Sequence, residues 1–237
     1  LLLHRATPIS VGDCSVCLAI VNTVRRKNAI TVWKDHMVSQ GFGYKLGVDL
    51  PGEKRGLIPN AQFYDKAYRG HWNGLTVISI SIGQGEILST PLQIANLGAT
   101  IANRGYFVTP HIVKEIQDNQ LDSIYCVPRY TTIEKRHYES VVEGMRGAAT
   151  GGTCRMLSVM VPDLEACGKT GTAQNRGHDH SVFMGFCADE QTEDSYCRLC
   201  RERRMGGYLR SSFRRTDDGT VFERQALAGE RVEGGRI

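Results

Sequence analysis

The sequence has no long hydrophobic run. No stretch approaches the ~20 apolar residues that a helix needs to cross a bilayer. Residues 1–10 also lack the charged start and small-residue cleavage site of a signal peptide. If the intact protein is anchored in a membrane, we therefore expect its anchor to lie outside this chain. The length of 237 residues and the 41% hydrophobic content favour one globular domain or most of a larger one.

The sequence also has little net charge. Its 29 Lys and Arg residues exceed its 25 Asp and Glu residues by only four. About a third of the basic residues crowd into roughly the last fifty positions, so the basic charge is not spread along the chain. The charge pattern therefore indicates no nucleic-acid partner.

Eight cysteines allow a metal site to be considered. Cys14 and Cys17 form one CxxC pair, and Cys197 and Cys200 form another. About 180 residues separate the two pairs, whereas compact zinc modules separate theirs by about 12–20 residues. We predict no metal and no cofactor. A zinc or nucleic-acid protein remains an alternative that stoichiometric metal in the purified protein would support.

Regular element patterning runs only through residues 28–186, which we predict to be one partial domain. Within it, residues 76–82 (TVISISI) are β-branched and apolar, which predicts a buried strand that ends at Gly83. A helix is predicted to begin after Thr90, since Pro91 suits the first helical position and Gln93 completes a capping box. Its predicted apolar face consists of Leu92, Ala95, Ala99 and Ala102, with Gly105 as the closing left-handed residue.

A second helix is predicted to begin at Thr131, with Glu134 as its capping partner, and to stop at the Gly151-Gly152 pair. Residues 166–173 then predict a strand, and residues 181–186 predict its hairpin partner. A helix followed by a strand pair indicates an α+β fold. The side chains that the second helix is predicted to bury are Tyr138, Val141, Val142, Met145 and Ala149.

The predicted strand at residues 166–173 carries Lys169-Thr170-Gly171, which two known mechanisms use. A phosphate-binding loop would need a glycine five residues before Gly168, but that position is Asp163, whose carboxylate repels phosphate. The alternative is the Lys-Thr-Gly signature of penicillin-recognising serine enzymes. There an exposed sheet edge supplies a positive potential, hydroxyls for a substrate carboxylate, and a glycine that leaves room for the substrate backbone.

Several motifs in order resemble one family, the class B penicillin-binding proteins, within about residues 28–186. Residues 70–73 (GHWN) and 179–183 (DHSVF) are most similar to its elongation-type group, penicillin-binding protein 2. The other matching segments are residues 41–53 (GFGYKLGVDLPGE), 81–86 (SIGQGE), 90–95 (TPLQIA), 102–105 (ANRG) and 168–175 (GKTGTAQN).

The resemblance implies the penicillin-binding protein and serine beta-lactamase fold, an antiparallel sheet flanked by helices. It implies a D,D-transpeptidase that cross-links peptidoglycan stem peptides through a serine acyl-enzyme formed at their D-Ala-D-Ala ends, and that binds beta-lactams. Cell-wall elongation proteins are the implied partners, and the periplasmic side of the inner membrane is the implied location of the intact protein.

The resemblance also assigns roles to residues. Lys169 is implied to hold substrate and tune proton transfer, and Gly171 to clear space. Thr170 and Thr172 are implied to offer hydroxyls to the carboxylate, and the Thr172 N–H to be one of two oxyanion donors. Gln174 and Asn175 are implied to lie at the rim of the substrate site.

The sequence departs from the family in its catalytic serine motifs. No serine is followed three residues later by lysine, and none is followed two residues later by asparagine. The family needs both patterns, Ser-x-x-Lys for the nucleophile and Ser-x-Asn for proton relay. We therefore expect a fragment that is inactive alone. A non-catalytic module that binds stem peptides or beta-lactams is the alternative function.

The two ends of the chain depart from the family as well. Residues 1–27 are atypical, and residues 187–237 are Arg-rich, with no strand or helix period. The family continues there with another core strand and a closing helix, so we expect the sheet to be incomplete. We interpret both ends as products of a reading-frame shift, which reading the coding DNA in the other two frames would test. Both CxxC pairs would then be accidents of frame.

Overall fold

The computed structural model describes an α+β protein. The described residues are 23–113, 116–117, 119–155, 158–159, 165–173, 180–187, 195–200, 214–215 and 221–222. The helices are α1 (Thr23–Ser39), α2 (Ala61–Ala67), α3 (Gly74–Val77), α4 (Pro91–Ala102) and α5 (Lys135–Thr150), with 3-10 helices at Ile78–Ile82 and Ser123–Tyr125. The strands are β1 (Tyr106–Phe107), β2 (Arg129–Tyr130), β3 (Ala166–Ala173), β4 (His180–Cys187), β5 (Ser195–Cys200), β6 (Arg214–Arg215) and β7 (Val221–Phe222).

A three-stranded antiparallel sheet carries the predicted hairpin. Its order is β3-β4-β5, and Lys169 lies opposite Met184 in the β3–β4 register. The prediction of a strand at 166–173 with a partner at 181–186 is thus confirmed. The prediction that the tail adds no strand is wrong, because β5 pairs with β4 from Ser181 opposite Cys200 to Phe186 opposite Ser195.

Helices α4 and α5 pack on the sheet, α4 against β4 and β5 and α5 against β3. Between them lies a buried cluster of seven residues: Ile101, Tyr138, Val142, Met145, Cys167, Met184 and Phe186. A second cluster joins α1, α2 and the segment after α2: Ile30, Tyr64, Trp72, Val77 and Ile80. Among the described helices, none is long and apolar enough to cross a membrane.

The predicted start of α4 is confirmed. The Thr90 hydroxyl accepts the N–H of Gln93, the Gln93 side chain accepts the N–H of Thr90, and Pro91 opens the helix. Gly105 has a positive φ of 114°. The predicted apolar face of Leu92, Ala95, Ala99 and Ala102 is only partly buried; the fully buried residues are Gln93, Asn96, Gly98, Thr100 and Ile101.

Polar side chains can occupy the inner face of α4 because carbonyls of neighbouring loops accept their N–H groups, although the Oδ1 atom of Asn96 is buried without a hydrogen-bond partner among the described residues. The Gln93 amide donates to the carbonyls of Tyr44 and Arg55, and the Asn96 amide donates to the carbonyl of Gln40. A buried polar group that is hydrogen-bonded avoids the desolvation cost of an unpaired one.

The prediction of a strand at residues 76–82 is wrong, because this segment consists of the end of α3 and the 3-10 helix that follows it. Asn73 caps α3, since its side-chain oxygen accepts the N–H groups of Leu75 and Thr76. The Thr76 hydroxyl in turn accepts the N–H of Asn73, which completes a capping box. The segment ends at Gly83, as predicted, with φ at 71°.

Helix α5 buries Tyr138, Val142, Met145 and Ala149 and stops before Gly151, as predicted; Val141 is only partly buried. Its start differs from the prediction, since Glu134 rather than Thr131 is the residue before the helix. The Thr131 hydroxyl is instead 2.8 Å from the Tyr138 hydroxyl, and the Thr131 N–H donates to the carbonyl of Gly105. These two hydrogen bonds hold Thr131 in the segment before the helix, so it does not cap α5.

Candidate functional site

The Lys-Thr-Gly motif lies on a strand at the edge of the described sheet, as the sequence predicts. Strand β3 pairs with β4 on one side, and the described residues place no strand on its other side. Exposure rises along the motif, from buried Lys169 through half-buried Thr170 and Gly171 to exposed Thr172. Among the described residues no strand covers this edge, and an uncovered sheet edge is where an extended peptide can add as a further strand.

The Lys169 side chain is buried, with 5% of its surface exposed, rather than lying on an exposed edge as expected. Residues directly opposite in an antiparallel pair share one face of the sheet. Lys169 is therefore on the same face as Met184, and so is Cys167, which packs in the cluster beneath α5. Its ammonium group donates a hydrogen bond to the carbonyl of Thr170. The positive charge thus lies on the inner, helix-covered face.

Thr170 lies on the opposite face, where it contacts the turn that follows α5. Its hydroxyl donates to the hydroxyl of Thr153 over 3.0 Å, and the Thr153 hydroxyl is 3.9 Å from the Cys154 sulfur. Burial raises the pKa of the Cys154 thiol, while hydrogen bonds and the Lys169 charge oppose that rise. The thiol is therefore a poor nucleophile.

Gly171 borders a small apolar cavity between β3 and the helices. The cavity has a volume of about 50 Å³. Its lining comes from α1 and α4, the loops that follow α1 and precede α4, and the strands β3 and β4: Met37, Phe42, Gly83, Ile87, Ser89, Ile94, Leu97, Gly171 and Val182. The loop at Gly83 is therefore packed against the motif strand.

The exposed residue Thr172 is tied to that same loop. The Gln84 side-chain amide donates to the carbonyl of Thr172 over 2.9 Å. No motif predicts a role for Gln84 at the site, and the glycines on both sides of it are the one local signal of an unusual loop. No motif marks Thr153 or Cys154.

Several predicted features lie outside the described residues. They include the rim residues Gln174 and Asn175 and the CxxC pair at Cys14 and Cys17. Within the described ranges, no group of three or more His, Cys, Asp or Glu residues could hold a metal ion.

Comparison with known proteins matches this chain to one family. The profile described as the penicillin binding protein transpeptidase domain matches residues 15–194. The Acinetobacter baumannii peptidoglycan D,D-transpeptidase MrdA is 31% identical over 187 residues, which cover 70% of this chain and 27% of the relative. The Haemophilus influenzae MrdA is 32% identical over 167 residues, covering 62% and 26%. The chain thus spans about a quarter of the length of these curated relatives.

Solved structures give the same fold. The Pseudomonas aeruginosa PBP2 in complex with WCK 5153 superposes with a TM-score of 0.66 at 27% identity, covering 80% of this chain and 40% of that one. The Helicobacter pylori PBP2 in its complex with MreC superposes with a TM-score of 0.59 at 24% identity, covering 77% of this chain and 32% of that one. The predicted α+β fold of penicillin-recognising enzymes is thereby confirmed.

Proposed function

Because this chain belongs to the family of penicillin-binding protein transpeptidase domains, we propose that it supplies the substrate-binding strand of a peptidoglycan D,D-transpeptidase. The ligand is the D-Ala-D-Ala end of a stem peptide, and beta-lactams compete for the same strand. Thr170 and Thr172 offer hydroxyls to its carboxylate, Gly171 leaves room for it, and Lys169 contributes positive charge from the inner face. Gln174 and Asn175 lie at the rim. The observation that carries the proposal is the edge strand β3 with Lys169-Thr170-Gly171 on it.

The electrostatics of β3 support an anionic ligand. The Lys169 ammonium is withdrawn from water. In this buried environment a charge acts more strongly on its neighbours than it does in bulk solvent. The Thr170 and Thr172 hydroxyls lie on the other face, nearer to solvent. For Thr170 to bind a carboxylate, its hydroxyl would exchange Thr153 for the ligand, a stronger acceptor because it is charged.

Replacing Lys169 by alanine is expected to weaken binding of an N-acyl-D-Ala-D-Ala peptide about tenfold to a hundredfold. The reason is that a charge withdrawn from water attracts a nearby carboxylate strongly. We take the loss as about 1.5–3 kcal/mol, the range for hydrogen bonds to charged groups. Titration of the full chain, followed by amide chemical shifts, measures the affinity. Lys135→Ala removes an exposed lysine on α5 and is the matched control. Equal affinity for the wild type and Lys169→Ala would contradict the proposal.

A separate prediction concerns covalent chemistry. The sequence holds no Ser-x-x-Lys and no Ser-x-Asn, so we expect a fluorescent penicillin to leave the purified chain without a covalent label. The absence of these motifs favours the second candidate function, reversible binding of stem peptides without turnover. A fluorescent band that survives denaturation would show that the chain carries its own nucleophile, provided that pre-treatment with unlabelled penicillin prevents the labelling.

For the intact protein, we propose action on the periplasmic side of the inner membrane, where stem peptides are cross-linked. We also propose that a cell-wall elongation protein is a partner of the intact protein. Support comes from the Helicobacter pylori PBP2, which is solved in a complex with MreC. Protease treatment of spheroplasts, followed by crosslinking of the intact protein in cells, tests the location and the partner.

A further inference from the structure

A side-chain amide connects a distant loop to the motif strand. Gln84 lies 88 residues before Thr172 in the sequence, yet its Nε2 is 2.9 Å from the Thr172 carbonyl oxygen. The two segments also meet at the cavity, which both Gly83 and Gly171 line. The hydrogen bond therefore belongs to a packed junction between the loop and β3.

The backbone around Gln84 is held in one conformation. Gly83 and Gly85 have φ values of 71° and 72°, in the left-handed region that favours glycine. The N–H of Gln84 donates to the carbonyl of Ser79 over 2.9 Å. A Cβ atom at position 85 would lie 2.4 Å from the Ser79 hydroxyl oxygen, so no larger residue fits there unless Ser79 moves. The loop thus presents the Gln84 side chain from a fixed base.

The contact acts on the peptide group that a ligand would use. Within a strand, the N–H and C=O of one residue point to the same side. Gln84 therefore approaches β3 from the side to which the Thr172 N–H points. A carbonyl oxygen has two lone pairs, so the Thr172 carbonyl can accept Gln84 and still accept an amide N–H from a peptide lying along the strand.

We propose that Gln84 is a positioning residue, which holds the Thr172 peptide group so that its N–H and its second carbonyl lone pair face an extended N-acyl peptide ligand. This inference rests on the proposed function for the identity of the ligand. The hydrogen bond itself is independent of it. Gln84 acts through Thr172 and does not need to touch the ligand.

The test compares Gln84→Met with Gln62→Met in the full chain. Methionine keeps the side-chain length and adds no charge but cannot donate a hydrogen bond. Gln62 is an exposed glutamine on α2 and serves as the control. In Gln84→Met we expect the Thr172 carbonyl carbon resonance to move upfield and the affinity for the N-acyl-D-Ala-D-Ala peptide to fall about threefold to tenfold, as for one net hydrogen bond. The melting temperature and the Lys169 amide resonance are expected to stay unchanged.

An unchanged Thr172 carbonyl resonance in Gln84→Met would overturn the inference. So would a lowered melting temperature with shifts throughout β3, because that result indicates a merely structural role. If the wild type itself binds no peptide, the proposed function fails and the role toward a ligand fails with it. A shifted Thr172 resonance would then still establish the contact between the loop and the strand.

Discussion

Truncating Met184 to alanine is expected to lower the free energy of unfolding by about 2–5 kcal/mol, the range measured for large-to-small changes in packed cores. Met184 has no exposed surface and lies in the cluster between α5 and the sheet. It is also directly opposite Lys169 in the β3–β4 register. The change would leave a cavity beside the buried part of the motif strand.

Urea denaturation followed by circular dichroism measures this loss. Val32→Ala is the control, because Val32 is an exposed apolar residue on α1 and surface substitutions usually change stability by less than about 0.5 kcal/mol. A Met184→Ala variant that loses less than about 1 kcal/mol would contradict the packing of α5 against the sheet, since such a loss falls below the core range.

Replacing Gln93 by alanine is expected to lower the free energy of unfolding by about 2–4 kcal/mol, because three hydrogen bonds to backbone groups are lost with one side chain. Its amide donates to the carbonyls of Tyr44 and Arg55 over 3.0 Å each, and its oxygen accepts the N–H of Thr90 over 3.1 Å. The side chain is 1% exposed. The Gln93 side chain thereby links the start of α4 to Tyr44 and Arg55, which bracket most of the family-like segment 41–53.

The same denaturation experiment measures the effect, with Gln62→Ala on the exposed side of α2 as the control. Gln93→Ala should also increase hydrogen exchange at the Thr90 amide, which loses its acceptor. Stability equal to that of the control variant would show that water replaces all three hydrogen bonds at no cost.

Features with a local cause could be predicted from the sequence. The capping box of Thr90 and Gln93, the opening Pro91 and the closing Gly151 all act within a few residues of where they stand, and the structure confirms each of them. The hairpin also followed from local patterning, because β3 and β4 are adjacent in sequence.

The segment at residues 76–82 shows how one local signal can override another. Its β-branched residues favour a strand, but the capping box of Asn73 and Thr76 initiates a helical turn instead. Val77 and Ile80, three residues apart, are buried, while Leu75 and Ile78 are exposed, which is a helical and not an alternating pattern. The capping signal that precedes the segment therefore outweighs the strand preference of its residue types.

Features that depend on distant partners could not be predicted. The burial of Lys169 depends on α5 covering one face of β3, and the role of Gln84 depends on a contact across 88 residues. The polar inner face of α4 likewise depends on carbonyls in loops about 40–50 residues away, as in the Gln93 contacts with Arg55 and Tyr44. Strand β5 was missed because its residues show no alternation, although β4 provides a complete row of pairing partners.

The order of elements along the chain affects how the domain emerges from the ribosome. Helix α4 ends at Ala102, but β5, the last strand it packs against, ends at Cys200. About 100 residues therefore have to be translated before α4 can pack against both β4 and β5. Their translation takes about 5–20 s at ~5–20 residues per second. Hydrophobic collapse takes at most about 100 μs. A nascent chain thus carries Ile94, Leu97 and Ile101 of α4 without the strands they pack with for a time in which chaperones can bind and misassembly can compete.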